Sequence, residues 1–162
     1  MPTLLRFLCA VALALATFGV SQPALAQNIL ASNPESVARA IRDKGLEANL
    51  TTDNEGDPMV EVTAEGQHFV VFFYDCVNNR NCKTLCFFAF WQNTNADRDL
   101  INAWNRDKRH SRAYIDKDND AVLEMDVNLN AGGISPGLFA DDIDRWMVGL
   151  IDYARYIGAP DA

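Results

Sequence analysis

The chain has 162 residues, 49% of them hydrophobic and 22% charged, with 22 Asp and Glu against 14 Lys and Arg and a formal net charge of −8. A chain this acidic is repelled by DNA, RNA and anionic lipid, which argues against a nucleic-acid partner. Its length suits one domain with a real core, and no repeat or low-complexity segment marks an internal boundary.

Residues 1–26 read as a secretory signal peptide. Arg6 precedes an apolar run from Phe7 to Val20, and Ala24 and Ala26 occupy the small-residue positions of an A-x-A cleavage site. The run is shorter than the roughly 20 residues a membrane span needs. Cleavage is therefore expected between Ala26 and Gln27, leaving residues 27–162 as a single domain without a membrane span. Loss of Arg6 takes the net charge from −8 to −9. Cys9 lies inside the apolar run with no lipid-attachment box before it. The expected location is periplasmic or secreted.

Ser32-Asn33-Pro34-Glu35 opens a helix, with Asn33 as cap, Pro34 at the first position, and Ser32 with Glu35 as a capping box. Val37, Ala38 and Ile41 form its apolar stripe, and Gly45 closes it. A short strand is expected from Leu46 to Thr52, then a turn at Asn54-Glu55-Gly56-Asp57. A half-exposed strand from Met59 to Ala64 alternates Val60 and Val62 with Glu61 and Thr63. Phe69 to Tyr74 (FVVFFY) and Leu85 to Trp91 (LCFFAFW) are apolar at nearly every position. Such runs predict central strands covered on both faces.

A helix is expected from Asp97 to Lys108 with Leu100, Ile101 and Trp104 inward. A hairpin follows, Ala113 to Asp116 and Val122 to Leu129, around Lys117-Asp118-Asn119-Asp120. The last helix runs from Phe139 to Ile157. Its stripe of Phe139, Ile143, Trp146, Leu150, Ala154 and Ile157 is widened by Met147, Ile151 and Tyr153. The order α-β-β-β-β-α-β-β-α predicts an α+β fold with a mostly antiparallel sheet. Tyr153 and Tyr156 are expected to offer exposed contacts, with Trp146 on the same helix.

Three cysteines remain after cleavage. Cys76 ends one central strand and Cys82 begins the next, so a hairpin loop can bring their Cα atoms within the usual 4.4–6.8 Å of a disulfide. An oxidising compartment favours that bond. Cys86 falls inside an apolar strand, where a thiol is a small buried hydrophobe. The alternative is a thiol-active envelope protein in which Cys86 rearranges with the bridge. Cys-x5-Cys-x3-Cys is not a zinc spacing, and there is no Cys-x-x-Cys redox motif.

Other motifs carry less. Gly133-Ile134-Ser135-Pro136-Gly137 matches G-x-S-x-G, but Pro136 has no N–H for an oxyanion hole and no histidine follows Ser135. Ser135 instead caps the last helix. Asp116, Asp118 and Asp120 fit the first ligands of an EF-hand loop, yet Ala121 and Val127 stand where glycine and glutamate belong. A weak divalent-cation site there is an alternative to a solvated hairpin tip. His68 and His110 have no catalytic neighbour, and no catalytic residue or cofactor is expected. The basic stretch from Arg106 to Arg112 complements a helix end or offers a docking patch for an acidic partner.

The string FYDCVNNRNCKTLCFFAFW, followed by INAWNRDKRHSRAYIDKDNDAVLEMDVNLNAGGIS and a Trp-bearing final helix, resembles the YbjN domain family. Asn102 to Asn105 is its Asn-x-Trp-Asn helix, Tyr114 to Asp116 its Tyr-Ile-Asp strand, and Leu123 to Asp126 its Leu-Glu-x-Asp strand. The resemblance covers about Asn33 to Ile157. It implies a fold like the type III secretion chaperones, a function by protein binding with frequent dimerisation, a regulatory label and no catalytic residues. The expected function is a non-enzymatic, chaperone-like or regulatory protein that binds another envelope protein. A homodimer would cover the second face of the central strands and the wide helix stripe.

Overall fold

The computed structural model describes residues 27–159; the signal-peptide reading of residues 1–26 lies outside the described residues. The chain folds in the expected order. Helix α1 (Pro34–Asp43) leads into β1 (Glu47–Thr52), β2 (Pro58–Ala64), β3 (Gln67–Tyr74) and β4 (Thr84–Trp91). Helix α2 (Arg98–Asp107), β5 (Arg112–Ile115), β6 (Ala121–Asn128) and α3 (Pro136–Tyr156) complete it. The strands form one antiparallel sheet in the order β1-β2-β3-β4-β6-β5. This is the α+β architecture anticipated from the sequence.

Local chemistry sets the boundaries. Asp97 accepts the Leu100 N–H at 2.8 Å to start α2, and Ser135 accepts the Leu138 N–H at 3.2 Å to start α3. Pro136 at the first helical position needs no N–H partner. Ser135 is thus the helix cap expected from the sequence. Gly45, at φ 82°, ends α1 and donates to the Arg42 carbonyl at 2.8 Å. The start of α1 departs from expectation. Asn33 makes no side-chain cap, and Glu35 pairs with Arg42, two turns on along the same face, instead of closing a box with Ser32. The Ser36 hydroxyl instead ties the preceding segment to the helix, accepting the Leu30 N–H at 3.2 Å and donating to the Asn33 carbonyl at 2.7 Å.

The helices gather on one face of the sheet. Inward from β3 and β4 come Phe69, Val71 and Phe73, with Leu85, Phe87 and Ala89, all buried. Against them α3 lays Phe139, Ile143, Trp146, Leu150 and Tyr153. Trp146 stands 5.6 Å from Phe69 and 5.7 Å from Phe87, centroid to centroid, and Phe87 lies 6.2 Å from Phe139. These offset and edge-on contacts add to the apolar area removed from water. Helix α1 packs on β1 and α3, and α2 on β5. Asn105 fastens α2 to β5 by donating to the Ala113 carbonyl and accepting its N–H, both at 2.9 Å.

Two expectations are corrected here. The central strands are not covered on both faces. Along β3, buried Phe69, Val71 and Phe73 alternate with Val70, Phe72 and Tyr74, which stay partly or well exposed; on β4 Phe88 and Phe90 do the same. Among the described residues all the helices lie on the inner side, and none covers the outer side. Trp146 and Tyr153 are not surface contacts either, being 1% and 0% exposed. The wide stripe on α3 arises because Tyr153 turns into the core, its ring 4.9 Å from Trp104 and 5.5 Å from Trp91.

Candidate functional site

The strand register gathers one set of residues on the open face. Thr63, Glu61 and Met59 of β2 lie opposite His68, Val70 and Phe72 of β3. Val70 and Phe72 in turn face Phe88 and Cys86 of β4, and Phe88 and Cys86 face Glu124 and Asp126 of β6. Because side chains alternate along each strand, these residues share one side of the sheet. Phe72 contacts Phe88 at 5.7 Å and Tyr74 at 6.3 Å, and Phe88 contacts Phe90 at 6.2 Å. The result is a ladder of aromatic rings along adjacent strands, with Phe90 54% and Tyr74 50% exposed. A depression of about 690 Å³ lies over it, floored by Val70, Phe72, Phe88 and Phe90 and edged by Glu47, Asn49, Glu61, Thr63 and His68. It is an exposed apolar surface rimmed by polar groups.

The electrostatics of this face are one-sided. Glu47 and Glu61 stand exposed on the β1–β2 side, and Asn49 donates to Glu61 at 3.3 Å. On the β5–β6 side Glu124 is only 8% exposed; it pairs with Arg112 and accepts the Tyr114 hydroxyl at 3.1 Å. The Arg112 guanidinium also covers the Tyr114 ring at 5.6 Å. Asp126 lies across from Cys86. Burial first, then the Asp126 carboxylate, pushes the Cys86 thiol up to about 12. At neutral pH this sulfur is a thiol, which is a poor nucleophile and a poor metal ligand. Burial likewise raises the Tyr74 and Tyr114 hydroxyls above their ordinary values.

The disulfide lies in the loop between β3 and β4 and packs against the core side of the sheet, with Cys82 in the buried cluster and Cys76 against it. Cys76 and Cys82 are bonded, and Cys86 is a free, buried cysteine. The two Cα atoms stand 3.8 Å apart, closer than the range expected from the sequence. The loop winds tightly because Asp75, Asn78, Asn79 and Asn81 all take positive φ, a region that Asn and Asp tolerate best among non-glycine residues. Within it Val77 donates to the Arg80 carbonyl at 2.7 Å. Asn79 reaches out of the loop to the Glu55 carbonyl and the Asp57 carboxylate, both at 2.9 Å, and so ties it to the β1–β2 turn.

The other sequence candidates lie elsewhere. Trp146 and Tyr153 belong to the core, on the far side of the sheet. Tyr156 alone of that group is exposed, at 41%, with its hydroxyl donating to the Leu100 carbonyl at 3.3 Å. Asp116, Asp118 and Asp120 share the β5–β6 hairpin without converging on a common point. Asp116 accepts the backbone N–H groups of Asp118 and Asp120, both at 2.9 Å; Asp118 faces Lys117 at 2.7 Å and Asp120 accepts from Gln92 at 3.2 Å. Among the described residues no group of three His, Cys, Asp or Glu side chains is placed to hold a metal ion. Of the three aspartates, Asp116 holds the turn with its carboxylate. No described helix is long and apolar enough to cross a membrane.

Comparison with known proteins agrees with the family resemblance. A family model described as "Putative bacterial sensory transduction regulator", YbjN, matches residues 33–158. No curated protein matches. Among solved structures, the chain is similar to the Yersinia pestis type III secretion chaperone SycH, crystallised in complex with a stable fragment of YscM2. The two are 17% identical, with 74% of this chain and 98% of that chain covered and a TM-score of 0.49. With nearly all of the described residues inside the matched span, the chain belongs to the YbjN family.

Proposed function

We propose that the protein is a non-enzymatic, regulatory or chaperone-like domain that binds a partner protein of the cell envelope through the open face of its sheet. The observation that carries this reading is the aromatic ladder of Phe72, Phe88 and Phe90 under an open depression, on the sheet face that no helix covers among the described residues. Burying such rings against a partner is favourable at roughly 25 cal/mol per Å² of apolar area. The description of the family as a sensory transduction regulator supports a role through contact rather than turnover. A periplasmic or secreted location follows from the reading of residues 1–26 as a cleaved signal peptide.

Cross-linked affinity capture from the native cell envelope tests both parts. The wild-type chain is expected in the periplasmic fraction, with its N-terminus at Gln27, together with one dominant partner. The Phe90→Asp variant, changed at a half-exposed ring, is expected to fold normally and lose that partner. Equal capture by wild type and variant counts against the sheet face. A cytoplasmic, uncut chain counts against the location.

A further inference from the structure

We infer that the segment taken up by the open face is basic: a stretch of partner polypeptide with bulky apolar side chains flanked by Lys or Arg. This rests on the docking role proposed above and adds its chemical class. The strand residues directed to this face include the carboxylates of Glu47, Glu61, Glu124 and Asp126, and a single guanidinium, Arg112. Arg112 is already paired with Glu124 and lies over Tyr114. No free cation on these strands balances Glu47, Glu61 or Asp126.

The acids flank the rings rather than mixing with them. Glu47 and Glu61 border the depression on the β1–β2 side, and Asp126 lies beyond Cys86 on β6. The floor between them is Val70, Phe72, Phe88 and Phe90. A segment crossing the strands therefore meets apolar surface in the middle and negative potential at both ends. At about 4.8 Å between strands, the passage from β1 to β6 spans about 19 Å, or roughly six extended residues. The depression of about 690 Å³ has room for several large side chains. Opposed potentials at the rim steer a basic segment in and discriminate against an acidic one.

The same pattern disfavours a second copy of the chain. With a two-fold axis across the strands, Glu47 and Glu61 would meet their own equivalents. With the axis along the strands, they would meet the side that carries Glu124 and Asp126, whose only cation is already engaged. Both arrangements bring like charges together while expelling water, which is costly.

The test is a random twelve-residue display library panned against the intact folded chain, and in parallel against a Phe72→Ser/Phe90→Ser variant. Phe90→Ser alone serves as the second variant should the pair destabilise the fold. Peptides enriched on wild type and lost on the variants are expected to carry Lys or Arg on either side of an apolar centre. Their affinity should fall about tenfold between 50 mM and 500 mM salt, as the Debye length shrinks. A Glu47→Gln/Glu61→Gln variant should bind them about fivefold more weakly. Ring-dependent peptides with neutral or acidic flanks would overturn the charge assignment and leave the docking face standing. No ring-dependent enrichment would overturn both. Dimerisation in sedimentation that disappears in Phe90→Ser would replace the basic segment by a second copy.

Discussion

Reducing the Cys76–Cys82 bridge is expected to destabilise the protein by about 2 kcal/mol without unfolding it. The two cysteines are separated by 6 positions. For a loop that short, the chain-entropy relation gives about 2 kcal/mol at 25 °C. The native loop keeps its other supports: Lys83 still donates to the Tyr74 carbonyl at 3.0 Å, Val77 to Arg80, and Asn79 to Glu55 and Asp57. For a body of this size, with an unfolding entropy of about 2.1 cal/mol/K per residue, that loss lowers Tm by about 7 °C. In urea the midpoint should fall by about 1 M with little change in slope. The assay is equilibrium unfolding of the wild type with and without reductant, followed by circular dichroism, beside a Cys76→Ala/Cys82→Ala variant. A loss under about 0.5 kcal/mol would mean the loop is already closed in the unfolded chain. A loss above about 5 kcal/mol would exceed what closing so short a loop can supply, and would mean the bond holds native packing together. Either result refutes the loop-entropy account.

Other expectations follow from single residues. Tyr153→Phe removes a hydroxyl that has no partner among the described residues and should change stability by less than about 1 kcal/mol, whereas Tyr153→Ala, emptying a wholly buried site between Trp91 and Trp104, should cost about 3–5 kcal/mol in the same unfolding assay. Asp116→Ala, which orphans two backbone N–H groups of the β5–β6 hairpin, should cost about 1–2 kcal/mol, while Asp118→Ala changes little; millimolar calcium should move neither Tm. Cys86 should resist iodoacetamide in the native protein at pH 8 and react fully in denaturant. Its thiol is pushed from an ordinary 9.0 to about 12, so the folded state holds the proton longer and stability falls as pH rises through that window. Cys86→Ala should flatten that alkaline loss in pH-dependent unfolding.

Short-range chemistry was the legible part of the sequence. Ser135 caps its helix as expected because the bonded N–H lies three residues on, and Gly45 ends α1 because its φ is positive; Asp97, expected only as the start of α2, caps it in the same way. The disulfide pairing was legible because a hairpin loop limits where its ends can be. What failed depended on distant elements. FVVFFY reads as a strand buried on both sides, but only the arrangement of all three helices decides which sides are covered. That apolar excess is the signal for the site: in the sequence Val70, Phe72, Phe88 and Phe90 look like core, and only their number, more than one covering layer needs, points to an open face. Tyr153 failed for the mirror-image reason. A tyrosine near a chain end looks exposed until Trp91 and Trp104 close over it. Glu35 abandoned its capping box because Arg42, on the same helix, offers an opposite charge.

The strand order has a kinetic consequence. Strands β1 to β4 pair with their sequence neighbours, so each ladder closes over a short turn and can zip up as soon as the chain is available. The second edge of β4 cannot. Its partner is β6, and the whole stretch from Gln92 to Asp120, including α2 and β5, must arrive first. Closing that longer loop costs more entropy and takes more time. Until it happens, the backbone groups of β4, a strand rich in aromatic residues, form an unpaired edge able to add a strand from another molecule. The interval between the completion of β4 and the arrival of β6 is when this protein is most exposed to aggregation, and a slow step in refolding should report the β4–β6 ladder.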